Sequence, residues 1–502
     1  MANQTPFSPT PKSRIPSPAI VAQDAVRRFP RWALVALCIA YALAGFVGRE
    51  PWRSEDLAGF GQLFDWLGTS HRSWLIARLG AILLLGLTCI STWYATYYLA
   101  RRDAAQPVPF AFGGEAKPTD YARAIADGAL LALIACLGLA QLGHETTATL
   151  LQTALMALAF FGLATLRYHP IKAVFALVLS CAGLLFLLHG WMFEPSHWLR
   201  LSSWKSSAHM LVWFAWPAWA LAGLAIIKWR KHWLSLRPAA HIAIPLVIVL
   251  VHLALLPIAT QQDRWFLGAL PALATLAAFA LPTLRRGMKS LIDLFTLIFF
   301  SGCALVIWVV WIAMQTGVPP QPAVNVTRLL PAFIPTFSAP VLLLALASTV
   351  AWGLLVYWRV GKHRPAIWMS MVLPAGGAAL CWALLMSLWL PLLDHARSYK
   401  PLMTLVQKHI ALQPNDQTSD GCLYVHGLGD AQQAALRYYS HRSLVQANRG
   451  VACNWLVVDG EAMPSLQEYV APRTWQLIQT IRRPSDKNED WLIYRRRIDA
   501  QN

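Results

Sequence analysis

The chain has 502 residues, 57% of them hydrophobic, with 24 Trp, a mean hydropathy of +0.45 and a formal net charge of +18. Apolar runs of about 20 residues recur along it, the length that crosses a bilayer as a helix, which excludes an ordinary water-soluble protein. Because the runs are continuous and not alternating, they also exclude a membrane β-barrel.

Residues 1–30, with Pro6, Pro9, Pro11, Pro16 and Pro18 among Ser and Thr, have the composition of a disordered cytoplasmic leader. Eleven spans follow, at roughly 32–48, 79–99, 122–141, 147–166, 171–190, 208–227, 240–259, 265–284, 291–313, 338–358 and 366–390. No small-residue cleavage site follows the first, so it reads as a retained anchor. The 103–120 loop, rich in Pro, Gly and Ala, reads as a linker inside the cell, and no internal repeat is evident. The expected fold is a polytopic α-helical membrane domain over 31–394 and a small soluble α/β domain over 395–502. With the N-terminus inside, the cytoplasmic segments hold 21 Lys and Arg and the short outer loops 8, the asymmetry expected of positive charge kept inside. An odd number of spans then puts the C-terminal domain outside. The net positive charge is thus topological and calls for no nucleic-acid partner.

Cys38, Cys89, Cys136, Cys181, Cys303 and Cys381 fall in apolar spans, where Cys behaves as a small hydrophobe. Cys422 and Cys453 stand alone in a domain placed in an oxidising space, which suggests a disulfide. In that domain Cys422–His426 and Trp455–Asp459 read as strands, 429–439 as a helix, 473–482 as a helix and Trp491–Tyr494 as a last strand, an alternation that predicts a mostly parallel sheet. His426 and His441 read as ordinary surface or core residues.

The candidate site lies in the loops on the outer side. Directly after the first span, Gly48-Arg49-Glu50-Pro51-Trp52-Arg53-Ser54-Glu55-Asp56 places three carboxylates at a membrane surface, where ionisable groups are costly to desolvate and point to function. The alternative is a solvated loop whose acids pair with Arg49 and Arg53, and Glu50 is the acid that reads most readily so. Gly143-His144-Glu145-Thr146-Thr147 brings another acid to the same side; Glu145 either faces Glu55 and Asp56 or caps the next helix. His189, after span five, is either a ligand-facing or a hydrogen-bonded bundle residue. In Gln261-Gln262-Asp263-Arg264-Trp265-Phe266, a guanidinium beside aromatics is suited to a phosphate, unless Arg264 pairs with Asp263 or snorkels to the interface.

In their order these segments resemble the GT-C fold glycosyltransferases of the protein-mannosyltransferase and aminoarabinose-transferase (ArnT-like) superfamily. Glu50-Pro51-Trp52-Arg53-Ser54-Glu55-Asp56 is similar to that family's Glu-Pro-Trp-basic-x-Asp-Glu, with the acidic pair inverted. The run 261–282 resembles its polar-Arg-Tyr-x-Leu-Pro segment, and 425–445 a strand-helix-Tyr segment of its outer domain. A family motif that precedes span two has no counterpart between Gln62 and Arg78. The resemblance implies transfer of a sugar from a polyprenyl-phosphate carrier to an envelope acceptor (lipid A, glycan or protein) at the periplasmic face of a bacterial inner membrane. It implies Glu55 as the base or acceptor-orienting group with Asp56 beside it, Glu145, His144 and His189 on sugar or acceptor, and Arg53, Arg72 and Arg264 on phosphate. No cofactor is required by the spacing, although hard carboxylate ligands would suit a divalent metal. The competing readings are a transporter of lipid-linked sugars, against which the lack of repeated halves speaks, and a non-catalytic scaffold.

Overall fold

The computed structural model describes residues 17–26, 29–52, 71–109, 116–187, 193–235, 238–330, 333–361, 366–411, 422–440, 442–446, 453–466, 474–483 and 489–497. Its helices are α1 (Arg31–Phe46), α2 (His71–Ala100), α3 (Pro118–Ala135), α4 (Leu137–Leu142), α5 (Ala148–Thr165), α6 (Pro170–Leu187), α7 (Leu201–Phe214), α8 (Ala218–Lys228), α9 (Arg230–Trp233) and α10 (Ala240–Leu255). They continue with α11 (Gln262–Leu267), α12 (Leu270–Ala280), α13 (Arg286–Thr316), α14 (Pro320–Leu329), α15 (Ala339–Val360), α16 (Met369–Leu385), α17 (Leu390–Arg397), α18 (Lys400–Ala411) and α19 (Asp430–Ser440).

Every one of the eleven apolar segments holds helix. Among the described residues, six helices are long and apolar enough to cross a membrane alone: Leu75–Ala100, Ala148–Thr165, Pro170–Leu187, Ala240–Ile258, Arg286–Thr316 and Ala339–Val360. Two more pass when helices on either side of a sharp bend are joined, α7 with α8 across 99° and α16 with α17 across 68°. The first bend falls at Trp216-Pro217, where proline has no N–H to continue the ladder. Beyond the second, α17 carries Asp394, His395 and Arg397, so the apolar span ends at the bend. Of the three remaining predicted spans, two are shorter apolar helices, α1 and the Leu270–Thr283 stretch, and the third, 122–141, is divided between α3 and α4 at Cys136.

Small residues decide which helices sit inside. α3 and α12 are rich in Ala, are buried over most of their length, and pack on each other and on α8. In lipid no hydrophobic drive favours one apolar surface over another, so helices associate where small side chains let backbones approach. A hydroxyl bond ties α2 to the same core: Thr96 Oγ1 on α2 and Thr275 Oγ1 on α12 lie 2.8 Å apart in the buried interior. α6, α13 and α15 instead expose Leu, Ile, Val and Phe.

Residues 17–26, part of the segment whose composition reads as a disordered leader, are ordered. Val108 donates its amide to the Ala19 carbonyl, Ala116 to Val21, and Ile367 to Ala25. The two limbs of the 103–117 loop thus hold the leader against the bundle, which composition alone does not reveal.

The C-terminal domain carries a five-stranded sheet of order β2-β1-β3-β5-β4, from β1 (Cys422–His426), β2 (Ser443–Gln446), β3 (Trp455–Asp459), β4 (Trp475–Arg482) and β5 (Asp490–Arg496). β1 pairs in parallel with β2 and β3, while β3–β5 and β4–β5 are antiparallel. The sheet is therefore mixed, and the helix predicted at 473–482 is a strand. Trp475, Ile478 and Ile481 have helix-like spacing, but a register shift between Leu477 and Gln479 resets the alternation. α18 and α19 cover one face through Leu402, Met403, Val406, Ala435 and Leu436. Cys422 and Cys453 form the expected disulfide on the other face, and the six span cysteines are free thiols.

The disulfide closes a loop of 31 residues in sequence separation, so replacing both cysteines by serine should cost the domain about 3–4 kcal/mol. Limited proteolysis of the purified protein should show the C-terminal domain cut faster while the helical bundle survives.

Candidate functional site

α1 ends in an extended Val47 and then Gly48, whose φ of +78° lies in the left-handed region that favours glycine. The turn throws Arg49–Trp52 across the end of the bundle that carries the sheet domain. Arg49 is 3% exposed; its Nη1 donates to the His144 carbonyl at 2.9 Å and its guanidinium lies 4.5 Å from the Trp52 ring centroid. Arg397 approaches the same ring at 5.1 Å. The Trp52 Nε1–H donates to Asp394 Oδ1 at 2.6 Å, and the Glu50 amide donates to the same oxygen at 3.2 Å. Burial pushes the Asp394 carboxyl up to about 6, against the Trp52 and Glu50 bonds that favour its charged form.

The Glu50 carboxylate is held by residues far away in sequence. Its Oε1 lies 2.8 Å from Lys400 Nζ and its Oε2 accepts from the Tyr439 hydroxyl at 3.2 Å. Burial, then the Glu50 charge, raises the Tyr439 phenol far above its usual value, so it stays a neutral donor.

The second element is the turn between α4 and α5. His144, expected to contact sugar or acceptor, is a structural pivot instead. It is buried, its Nδ1 faces the Ala140 carbonyl at 2.6 Å and its Nε2 the Tyr41 carbonyl at 2.9 Å, and the rings of Tyr41, Phe46 and Trp382 surround it. Two carbonyls would favour imidazolium, but burial outweighs them and lowers the group to about 4, so the neutral ring donates to one of the two. Glu145, the next residue, is 1% exposed. It does not occupy the cap of α5, a position held by Thr147.

The third element is α11. Arg264 is 7% exposed and its amide bonds Asp263 Oδ1 at 3.0 Å. Trp265 fixes the helix: its Nε1–H donates to the His252 carbonyl at 3.0 Å, its ring stacks on His252 at 4.8 Å, and Phe193 meets it edge-on at 5.2 Å. α11 packs against both α4 and α5, the helices flanking the Glu145 turn. A buried carboxylate and two buried guanidiniums, Arg49 and Arg264, thus come from adjoining elements. In a medium of low dielectric such groups are suited to hold an anion and polar hydroxyls.

Arg53, Glu55, Asp56 and His189 lie outside the described residues. Arg72, expected in a loop, is in the first turn of α2, which starts at His71 and carries Arg78 as well. Among the described residues no three His, Cys, Asp or Glu side chains converge as metal ligands. Sequence reasoning missed Asp394, Arg397, Lys400 and Tyr439; the one local signal was a charged Asp-His-Ala-Arg run directly after the last apolar segment.

No family model matches the chain, and no curated protein does. Solved structures similar to it include the crystal structure of ArnT from Cupriavidus metallidurans bound to undecaprenyl phosphate, at 13% identity over 92% of this chain and 97% of that one, with a TM-score of 0.49. The apo state of the same protein matches with the same identity and coverage and a TM-score of 0.48.

Substitutions at two positions test this geometry. A Cβ on Gly45 would stand 2.1 Å from His144 Cδ2, so Gly45→Ala should displace the imidazole and lower stability by about 1–3 kcal/mol, read as a fall in melting temperature in detergent. Asp394→Ala leaves the Trp52 indole and the Glu50 amide without their acceptor and should cost about 1–3 kcal/mol, whereas Asp394→Asn keeps an acceptor oxygen and should cost less. Because burial pushes the Asp394 carboxyl up to about 6 from the usual carboxylate range, the protonation-linked part of its contribution is full below about pH 4 and is lost as the pH rises through 6. Asp394→Asn should remove that slope from the stability profile.

Proposed function

We propose that this protein is a membrane glycosyltransferase that moves a sugar from a polyprenyl-phosphate carrier to an envelope acceptor, a lipid, glycan or protein. The observation that supports the reading best is the burial of Glu145 and Arg264 on touching elements at the end of the bundle that bears the sheet domain. Burying an acid and arginines beside apolar spans is costly, so such groups pair with one another or serve a charged or polar ligand, and they mark functional sites. In this reading that end faces the periplasm, the N-terminus is cytoplasmic, and the protein sits in a bacterial inner membrane.

The reaction needs little beyond charge management. An acceptor oxygen or nitrogen attacks the anomeric carbon, the bond from that carbon to the phosphate oxygen breaks, and the lipid phosphate leaves with the electron pair. Glu55 takes the acceptor proton. Asp56 and Glu145 bind sugar hydroxyls, with His189 beside them, and Arg264, supported by Arg53 and Arg72, neutralises the departing phosphate. The chemistry requires no cofactor, and no step is assigned to a metal.

Comparing envelope lipids and glycans by mass spectrometry with and without the gene should show one sugar missing from one acceptor. With that donor and acceptor, purified Glu55→Gln and Arg264→Ala proteins should lose activity by on the order of 10²–10³-fold, and Arg264→Lys should lose less. Transfer at the unmutated rate by correctly folded variants would sink the assignment.

A further inference from the structure

The corner after α1 is tied to parts of the chain far away in sequence. Glu50 bonds Lys400 on α18 and Tyr439 on α19, at separations of 350 and 389 residues, so both anchors of its carboxylate belong to elements that cover the sheet. One residue before it, Arg49 reaches 95 residues onward to the carbonyl of His144, the peptide that leads into Glu145. Two residues after it, Trp52 is fixed by Asp394, and the guanidiniums of Arg49 and Arg397 approach its ring at 4.5 and 5.1 Å.

We propose that Glu50 is a positioning residue through which the seating of the sheet domain sets the Arg49–His144 contact and so the placement of Glu145. The inference rests on the glycosyltransferase reading only for its catalytic consequence. Its structural part stands on the contacts alone.

The chemistry favours a geometric role over a stabilising one. Lys400 is 58% exposed in its side chain and Glu50 is 22% exposed, and ion pairs so open to water add little to stability. A carboxylate with one oxygen on a lysine and the other on a neutral phenol is nevertheless fixed in two directions. Glu50, Arg49 and Trp52 share one short stretch of backbone with little slack between them. A shift of α18 and α19 relative to the bundle would therefore be passed to Arg49, which has one 2.9 Å bond to the turn. Ring contacts with Tyr41, Phe46 and Trp382 hold the His144 side chain, while the Arg49 bond acts on its carbonyl, the peptide that leads into Glu145.

The test uses the full-length protein in detergent, with amide hydrogen exchange read over residues 139–147. Glu50→Ala should raise exchange at the Gly143, His144 and Glu145 amides at least tenfold, with the thermal midpoint of the sheet domain unchanged. Glu50→Lys and Lys400→Glu should each act in the same way, and the double swap should restore protection. Where transfer is measured, Glu50→Ala should lower kcat about tenfold with less than a twofold change in KM for the donor, and the swap should recover kcat. Unchanged exchange in Glu50→Ala, or a double swap no better than either single change, would overturn the proposal. Exchange that responds as expected in a protein that transfers no sugar would support the coupling and reject the glycosyltransferase reading.

Discussion

An arginine taken out of water must find acceptors and aromatic faces inside the protein, and Arg49 organises its end of the molecule around that requirement. Its guanidinium needs the His144 carbonyl, which fixes the turn bearing Glu145, and the Trp52 face, which in turn needs Asp394 for its indole N–H. Each partner comes from a different element: α1's exit, the α4–α5 turn and the helix beyond the last span. The bundle end, the turn and the sheet domain are therefore parts of one polar network, built where apolar packing cannot supply specificity.

Within the bundle a different constraint governs. Backbone groups must be satisfied by helices, and apolar side chains gain nothing by preferring protein to lipid. Alanine and threonine then do the sorting, which is why α3 and α12 are central while the leucine-rich and isoleucine-rich faces of α6, α13 and α15 point outwards. A rigid interior of this kind gives α11 a firm base, and the Trp265 contacts hold Arg264 against it.

Much of this was legible before any coordinates. Helix in all eleven apolar segments follows from length and hydropathy, and the Cys422–Cys453 bond follows from two cysteines standing alone in the C-terminal domain. Arg264 and Glu145 stand out in the sequence because charge beside an apolar run has a cost, and the fold buries both side chains. Other readings failed for local reasons. A β-bulge gave Trp475–Arg482 helix-like spacing, and His144, whose position in a polar loop suggested ligand contact, is consumed by two main-chain carbonyls.

Sequence by itself determined which segments are helical and apolar, which loops carry charge, and which cysteines pair, because each depends on local composition and the solvent around it. Tertiary structure alone decided what each charge meets. Glu50 has arginines close by in sequence and yet pairs with Lys400 and Tyr439, since partner choice depends on which surfaces folding brings within 3 Å or so. The same holds for Trp52 and Asp394, 342 residues apart. No local pattern encodes such a pairing, because it exists only once the sheet domain is seated on the bundle.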